Sequence, residues 1–276
     1  MFGDIVGIPG VVDPPIGRNQ AAEIGDIGRE DAFFCFDFFV QYSHTHRGKV
    51  FLLQLLEAEL QGNAAVYLFN RMPAEWLCDY DEDPSEELKS RDVQRVKSMP
   101  WKYLFSMLFI VINMTLIRED LQFAIATSLV LWLLLELSIA DVKYNILPDQ
   151  LIILLAVCSI GFIPYKDGFW EILAGGIIAF VIIFTIALIG KLSYRNNTMG
   201  GGDIKLFTAI GFICGSFGSF FILIGSYMLL ALHAIFLLVY AVVKPEYKLR
   251  EYMPMAPYIS IITAIYLIFY WDIQFK

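Results

Sequence analysis

Residues 121–140, LQFAIATSLVLWLLLELSIA, form an apolar run that decides the fold of this chain. About 20 apolar residues in a helix cross the ~30 Å hydrocarbon core of a bilayer, because each residue adds ~1.5 Å. The one acid within the run, Glu136, lies on a different helix face from Asp141, which follows the run. We therefore interpret Glu136 as a structural residue and predict a transmembrane helix that ends at the carboxylate of Asp141.

Several more apolar segments follow in the same part of the chain. The mean hydropathy is +0.62 and 58% of the residues are hydrophobic, which is typical of proteins that cross a membrane repeatedly. The sequence therefore predicts an all-α polytopic membrane protein with about seven transmembrane helices, one of them short. The predicted spans are residues 102–117, 121–140, 147–164, 169–190, 203–215, 217–243 and 255–271.

The first hundred residues differ from the rest of the chain in charge. They carry 17 acids and 9 bases, whereas residues 101–276 carry 11 of each, so the net charge of -8 belongs to the N-terminal part. An acidic protein without a basic surface is not expected to bind nucleic acid. We predict a polar, acidic N-terminal region of unknown role over residues 1–100, which includes a charged linker at residues 79–92. The membrane domain is predicted over residues 101–276.

The distribution of basic residues predicts the orientation of the spans. If residue 100 is cytoplasmic and seven spans alternate, eleven Lys and Arg residues near the spans lie on the cytoplasmic side and three lie opposite. The N-terminus is then cytoplasmic and the C-terminus lies outside. Asp141 at the end of the second span and Asp203 at the start of the fifth are both expected at the cytoplasmic edge.

The first of these acids lies in SIADVKYNILPDQLI, residues 138–152. Pro148 suits the first turn of a helix, where its missing N–H is not needed. Asp149 then lies near the positive end of that helix. An ordinary cytoplasmic turn with a solvated Asp141 also fits this segment.

The second acid lies in MGGGDIKLF, residues 199–207. The glycines Gly200, Gly201 and Gly202 have no Cβ and so leave room for an extended peptide beside the carboxylate of Asp203. A flexible loop with Asp203 as helix N-cap also fits. Lys205 points to another helix face. We expect it to contact lipid phosphates or the other face of the site, although a snorkelling lysine fits equally well.

The two acids together indicate a catalytic pair. Two carboxylates at one membrane depth can share a proton, so that one activates water while the other donates to a carbonyl. This chemistry needs no metal and no cofactor, and acids within a membrane domain are expected to be functional. Asp141 and Asp203 are therefore the predicted catalytic residues. Helix polarity predicts Asp203, which opens a helix, as the resting carboxylate and Asp141, which closes one, as the resting acid.

The spacing of Asp141 and Pro148-Asp149, followed by GGGDIKL at residues 200–206, resembles the type IV prepilin peptidases, which are GxGD intramembrane aspartyl proteases. The resemblance covers about residues 120–271. It implies Asp141 and Asp203 as the catalytic aspartates and the inner (cytoplasmic) membrane as the location. It also implies prepilin, pseudopilin or preflagellin precursors as substrates. These carry a short basic leader followed by an apolar helix and are cut on the cytoplasmic side.

The chain departs from the bifunctional members of that family in one respect. Those members also methylate the new N-terminus and carry a cytoplasmic domain with paired C-x-x-C motifs. The four cysteines of this chain form no C-x-x-C pair, which places N-methyltransferase activity in doubt. Two alternatives remain open at this stage: a membrane transporter or ion-coupled binding protein that uses the same acids, and a presenilin-like protease with another substrate. The oligomeric state is not predicted.

Overall fold

The computed structural model describes most of the chain after residue 45, and His46 is the first residue described. It divides into two compact units, Met1–Leu52 and Leu53–Lys276, and only residues 46–52 of the first unit are described. Much of the predicted linker at residues 79–92 lies outside the described residues. The described ranges are 46–78, 83–84, 86–89, 94–116, 119–166, 168–194, 200–244 and 253–271.

The described ranges are helical and contain no strand. The α-helices are α1 (His46–Arg71), α2 (Glu86–Lys89), α3 (Ser98–Leu116), α4 (Leu121–Tyr144), α5 (Asp149–Cys158), α6 (Phe169–Tyr194), α7 (Gly201–Val243) and α8 (Ala256–Ile265). A 3₁₀ turn, Ala74–Leu77, follows α1. A 3₁₀ segment, Ser159–Tyr165, extends α5, and a π-helical turn, Tyr266–Tyr270, extends α8.

Helix α7 is broken at Gly215, which has φ 74° and ψ −175°. This conformation is available to glycine and strained for other residues. The part after the break runs antiparallel to α8, because successive residues along it meet earlier and earlier residues of α8. The contacts bring Gly218 against Tyr266, Gly225 against Ile262 and His233 against Tyr258.

The part of α7 before the break runs in the opposite direction. Its start lies beside Asp141, because the charges of Asp203 and Asp141 interact, and Asp141 contacts the first residue of α8. Its end lies beside Lys166, whose Nζ donates to the carbonyl of Cys214 at 3.3 Å. The chain therefore reverses at Gly215, and residues 201–214 and 216–243 form two successive passes through the helical bundle.

The predicted all-α membrane fold is confirmed. Four of the described helices, α3, α4, α6 and α7, are long and apolar enough to cross a membrane, and the apolar segments that begin at Asp149 and Ala256 are shorter. With α7 divided at Gly215, an apolar helix lies at each of the seven predicted positions. Their exposed side chains are largely apolar, as expected for surfaces that face lipid. The chain is a multi-pass membrane protein.

Gln61 and Gly62 of α1 contact α3 and α4, although the sequence of α1 is less apolar than theirs. The Gln61 side chain hydrogen-bonds Ser128 of α4 at 2.7 Å, and Ser128 donates to Asn113 of α3 at 2.9 Å. The indole N–H of Trp132 donates to the carbonyl of Gln61 at 3.1 Å. This polar cluster joins three helices. The predicted boundary at residue 100 stays a prediction, because these contacts do not define domains.

The end of the bundle opposite Asp141 holds one buried lysine. The Lys166 side chain has 0% exposure and lies 3.8 Å from Glu171 and 4.4 Å from the centre of the Trp271 ring. Its bond to the Cys214 carbonyl satisfies an oxygen at the C-terminal end of residues 201–214, where the helix leaves carbonyls without intrahelical partners. Lys166 therefore contacts α7 directly at the break.

Candidate functional site

Asp141 lies in the last turn of α4 and is 6% exposed. Its Oδ2 accepts the backbone N–H of Ala256 at 2.8 Å, and the N–H of Met255 also contacts the carboxylate. These donors belong to the N-terminal end of α8, where backbone N–H groups have no intrahelical partner. The alternative of a solvated Asp141 is therefore wrong, because its carboxylate is buried against another helix.

The start of α8 is held beside α4 by side chains as well. Ser260 lies 2.8 Å from Ser138, one turn of each helix away from the Asp141 contact. Pro257 stands in the first turn of α8, where proline favours helix initiation. The sequence shows this proline, but the backbone donors beside it carry no side-chain signature, so the sequence did not predict the Ala256 contact.

Asp203 lies in the first turn of α7, half-buried, and its carboxylate accepts the backbone N–H of Gly200. The three predicted glycines differ in their surroundings. A Cβ at Gly201 meets nothing within 4 Å, whereas one at Gly202 meets Leu147 at 3.0 Å and one at Gly200 meets the Asp203 carboxylate at 3.3 Å. Of these three glycines, Gly201 is the one that faces open space.

Asp141 and Asp203 line one cavity of about 510 Å³, which we call the acidic cavity. The two carboxylates are close enough for their charges to interact. The acids therefore come from helices about sixty residues apart in sequence and meet at the same end of the bundle, as the alternation of spans predicts. Residues 145–150 and 200–202 form further parts of the wall.

Pro148, Asp149 and Lys205 also line the acidic cavity. Pro148 is the N-cap of α5 and precedes the helix, one position earlier than the predicted first turn, and its carbonyl accepts the N–H of Leu151 at 3.1 Å. Asp149 is the first residue of α5, as predicted. The Nζ of Lys205 lies 2.6 Å from Oδ2 and 2.8 Å from Oδ1 of Asp149, so Lys205 forms an ion pair at the wall of the cavity.

Residues between α1 and α2 complete the wall, and the sequence assigned them no role. The cavity is lined there by Glu75, Trp76, Cys78, Asp83 and Pro84. Glu75 and Asp83 are exposed. The acidic composition of this segment was the one sequence feature that could have indicated a place in the site. The same composition is equally typical of a solvated linker.

Glu136 is not part of the acidic cavity. It is 1% exposed, and neither of its carboxyl oxygens has a hydrogen-bond partner. Burying a polar group without a hydrogen-bond partner costs free energy. Among the residues that the structure describes, no three His, Cys, Asp or Glu side chains come together as a metal site. The predicted absence of a metal and of a cofactor stays a prediction.

Comparison with known proteins adds independent information on residues 128–235, which match the model of the type IV leader peptidase family. The chain is similar to the prepilin leader peptidase/N-methyltransferase of Vibrio cholerae, with 31% identity over 142 residues, or 50% of this chain and 53% of that protein. It is also similar to prepilin peptidase EppA of Methanocaldococcus jannaschii, with 33% identity over 138 residues, or 48% and 37% of the two chains.

These similarities are partial. The chain spans about half the length, or less, of the curated relatives it matches. No solved structure matches it. The matched residues 128–235 include Asp141 and Asp203, the two acids that line the acidic cavity.

Proposed function

We propose that this chain, whose residues 128–235 match the model of the type IV leader peptidase family, is a member of that family and a membrane-embedded aspartyl endopeptidase. Its substrates are prepilin-like precursors, namely prepilins, pseudopilins or preflagellins, from which it removes a short basic leader. One observation carries the proposal: the carboxylates of Asp141 and Asp203 interact and line one cavity at one end of a helical bundle. Two carboxylates that share one proton are the catalytic groups of aspartic proteases.

In the proposed reaction, one carboxylate accepts a proton from water as the water oxygen attacks the scissile carbonyl carbon. The other acid, protonated, donates its proton to the carbonyl oxygen. The tetrahedral intermediate collapses, the C–N bond breaks and a proton passes to the leaving amine. The products are a leader with a free carboxyl group and a mature protein with a new N-terminal amine.

Helix polarity bears on which acid of the proposed pair holds the shared proton. Helix polarity alone assigns the proton to Asp141, because that residue closes α4. However, the N-terminal end of α8 also points at Asp141, through the N–H groups of Met255 and Ala256. Each acid therefore faces a positive helix end, so helix polarity does not distinguish the two acids.

The charge of the acidic cavity supports a basic leader as the ligand. Besides the catalytic pair, Glu75, Asp83 and Asp149 contribute carboxylates to its wall. Lys205 is the one Lys or Arg among the described residues that line it, and it is paired with Asp149. A cleft with one sign of charge concentrates ligands of the opposite sign.

The proposed location is the inner membrane, with the acidic cavity at its cytoplasmic edge. The excess of Lys and Arg at the predicted cytoplasmic side supports this orientation. A precursor made in the cytoplasm then reaches the acids with its leader still in water.

The test uses membranes that contain this chain and a purified precursor with a basic leader. We expect the wild-type chain to shorten the precursor, and we expect Asp141→Ala and Asp203→Ala each to abolish cleavage. Glu119→Ala is the matched control, because Glu119 is an exposed acid outside the cavity. Mass spectrometry of the product identifies the cut and any added methyl group.

The outcomes separate the parts of the proposal. Cleavage that persists in either Asp141→Ala or Asp203→Ala contradicts the catalytic pair. A wild-type chain that leaves the precursor intact contradicts the peptidase function. A methylated product removes the doubt about the second activity.

A further inference from the structure

A second cavity of about 380 Å³ adjoins the acidic cavity, between α5, α6 and α7. We call it the apolar groove, because its walls are mainly apolar side chains. Ile153 and Ala156 of α5 form one wall, Phe180 of α6 another, and Ile204 and Phe212 of α7 the third.

The acidic cavity and the apolar groove share two residues, Asp149 and Lys205. The ion pair between these side chains therefore marks the boundary, with carboxylates on one side and apolar side chains on the other. The catalytic Asp203 immediately precedes Ile204 of the groove. The two cavities therefore adjoin at the start of α7, where one contains Asp203 and the other Ile204.

We propose that the apolar groove binds the apolar segment that follows the scissile bond of the precursor, while the acidic cavity binds the basic leader that precedes it. This inference rests on the proposed function, because it assigns the two sides of one substrate to two adjoining cavities. The boundary at Asp149 and Lys205 then sets the position of the cut. Specificity comes from the change from basic to apolar character along the substrate.

The position of the groove within the bundle supports this occupant. Between Ile204 and Phe212 the wall extends over eight residues of helix, or about 12 Å away from the acids. Ile153 at its mouth is 63% exposed, so the groove opens toward lipid. A membrane-inserted helix is therefore able to enter from the side without unfolding. Lipid chains fit the same surface, and the experiment separates them from a substrate.

The first test fills the groove. Ala156→Phe places a ring between its walls, and Ala231→Phe places the same ring on an exposed surface of α7 outside it. Each variant is given a full precursor and a peptide that ends four residues after the scissile bond. We expect Ala156→Phe to lower the ratio of kcat/KM for the precursor to that for the peptide at least tenfold, through KM. Ala231→Phe leaves this ratio unchanged.

The second test reads binding without cleavage. A photoreactive residue replaces Ile153 in the groove or, as a matched control, Ile224, which is 66% exposed and faces away from it. Both are placed in an Asp203→Asn chain, so that the precursor stays intact. We expect crosslinks from position 153 to the apolar segment of the precursor and no crosslinks to it from position 224.

The outcomes of these tests distinguish the groove proposal from the peptidase proposal. An unchanged ratio in Ala156→Phe, or crosslinks from position 153 to lipid alone when precursor is present, overturns the groove proposal and leaves the peptidase proposal intact. A wild-type chain that cleaves neither substrate overturns the peptidase function. If Ala156→Phe does not fold, the crosslinking result alone decides the groove proposal.

Discussion

The two ends of the helical bundle use charged side chains in different ways. At one end, Asp141 and Asp203 line a cavity of about 510 Å³ that a ligand can enter. At the other end, Lys166 is completely buried and its ammonium group is engaged by the Cys214 carbonyl, Glu171 and the Trp271 ring. At one end the carboxylates face a cavity, whereas at the other end the charged ammonium group is enclosed by protein atoms.

The two ends of the bundle are therefore expected to differ in role: one binds and reacts with a ligand in the proposed function, and the other stabilises the helix arrangement. A buried charge with all its partners inside the protein stabilises one arrangement of helices and has no free capacity for a substrate. Carboxylates that face a cavity within a membrane domain are the groups to which we assign the proposed function. Substitutions at the two ends should therefore affect different quantities: activity at the acidic cavity and stability at Lys166.

The largest expected effect is on catalysis. Asp141→Asn and Asp203→Asn each preserve the shape of the side chain and remove its ability to exchange a proton. We expect each to lower kcat for precursor cleavage by about 10³-fold or more, with a small change in melting temperature. In the proposed mechanism the two acids act as a unit, so the double variant should be no slower than the single ones. Additive losses would indicate that they act independently.

The second prediction concerns the opposite end. Lys166→Met removes the ammonium group from the Cys214 carbonyl and from Glu171, which is partly exposed and regains some hydration. We expect a loss of about 2 kcal/mol in the free energy of unfolding. The control Lys191→Met, at an exposed lysine of α6, should change it by about 0.5 kcal/mol or less. Thermal unfolding in detergent measures both.

The activity of the Lys166→Met chain sharpens the comparison further. We expect the fraction that remains folded to cleave the precursor at close to the wild-type rate, because Lys166 lies at the far end of residues 201–214 from Asp203. A kcat lowered as much as in Asp203→Asn would show that the break at Gly215 determines the position of the acid.

The membrane helices and the meeting of the two acids were predictable from sequence. Hydropathy marks each span, because lipid requires continuous apolar surface, and the alternation of spans brings Asp141 and Asp203 to one end. Even the reversal at Gly215 lies within one residue of the predicted boundary between two spans. These features depend on which residues face lipid and on the alternating direction of successive spans. Both can be read from the local composition of the sequence.

The contacts around the acids were not predictable in this way. The donors to Asp141 are backbone N–H groups of Met255 and Ala256, and any residue except proline supplies such a group. Helix α1 is less apolar than the membrane spans and packs through polar side chains such as Gln61, so its place beside α3 and α4 was missed. Glu75 and Asp83 reach the cavity only through tertiary packing.

A third and smaller effect is expected where these missed residues line the cavity. The double change Glu75→Lys and Asp83→Lys reverses two charges on the wall. We expect kcat/KM for a precursor with a basic leader to fall about tenfold at low salt, and less at high salt, where charges are screened. A precursor whose leader is neutral should be cleaved equally by both chains.

The matched control is Glu119→Lys, which reverses an exposed charge outside the cavity. It should leave cleavage of both precursors unchanged. An equal loss with the basic and the neutral leader would mean that Glu75 and Asp83 support the fold rather than the leader.

The smallest expected effects compare two adjacent glycines. In Gly202→Ala the new methyl group lies 3.0 Å from the Leu147 Cβ, so the wall of the cavity has to shift, and we expect a loss of about 1 kcal/mol in stability. In Gly201→Ala the methyl group meets no protein atom within 4 Å. We expect that variant to keep its stability and to lower kcat/KM several-fold, since the methyl group occupies space that the proposed substrate backbone needs. Full activity in Gly201→Ala would mean that the substrate reaches Asp203 by another side of the cavity, beside α5 or Glu75.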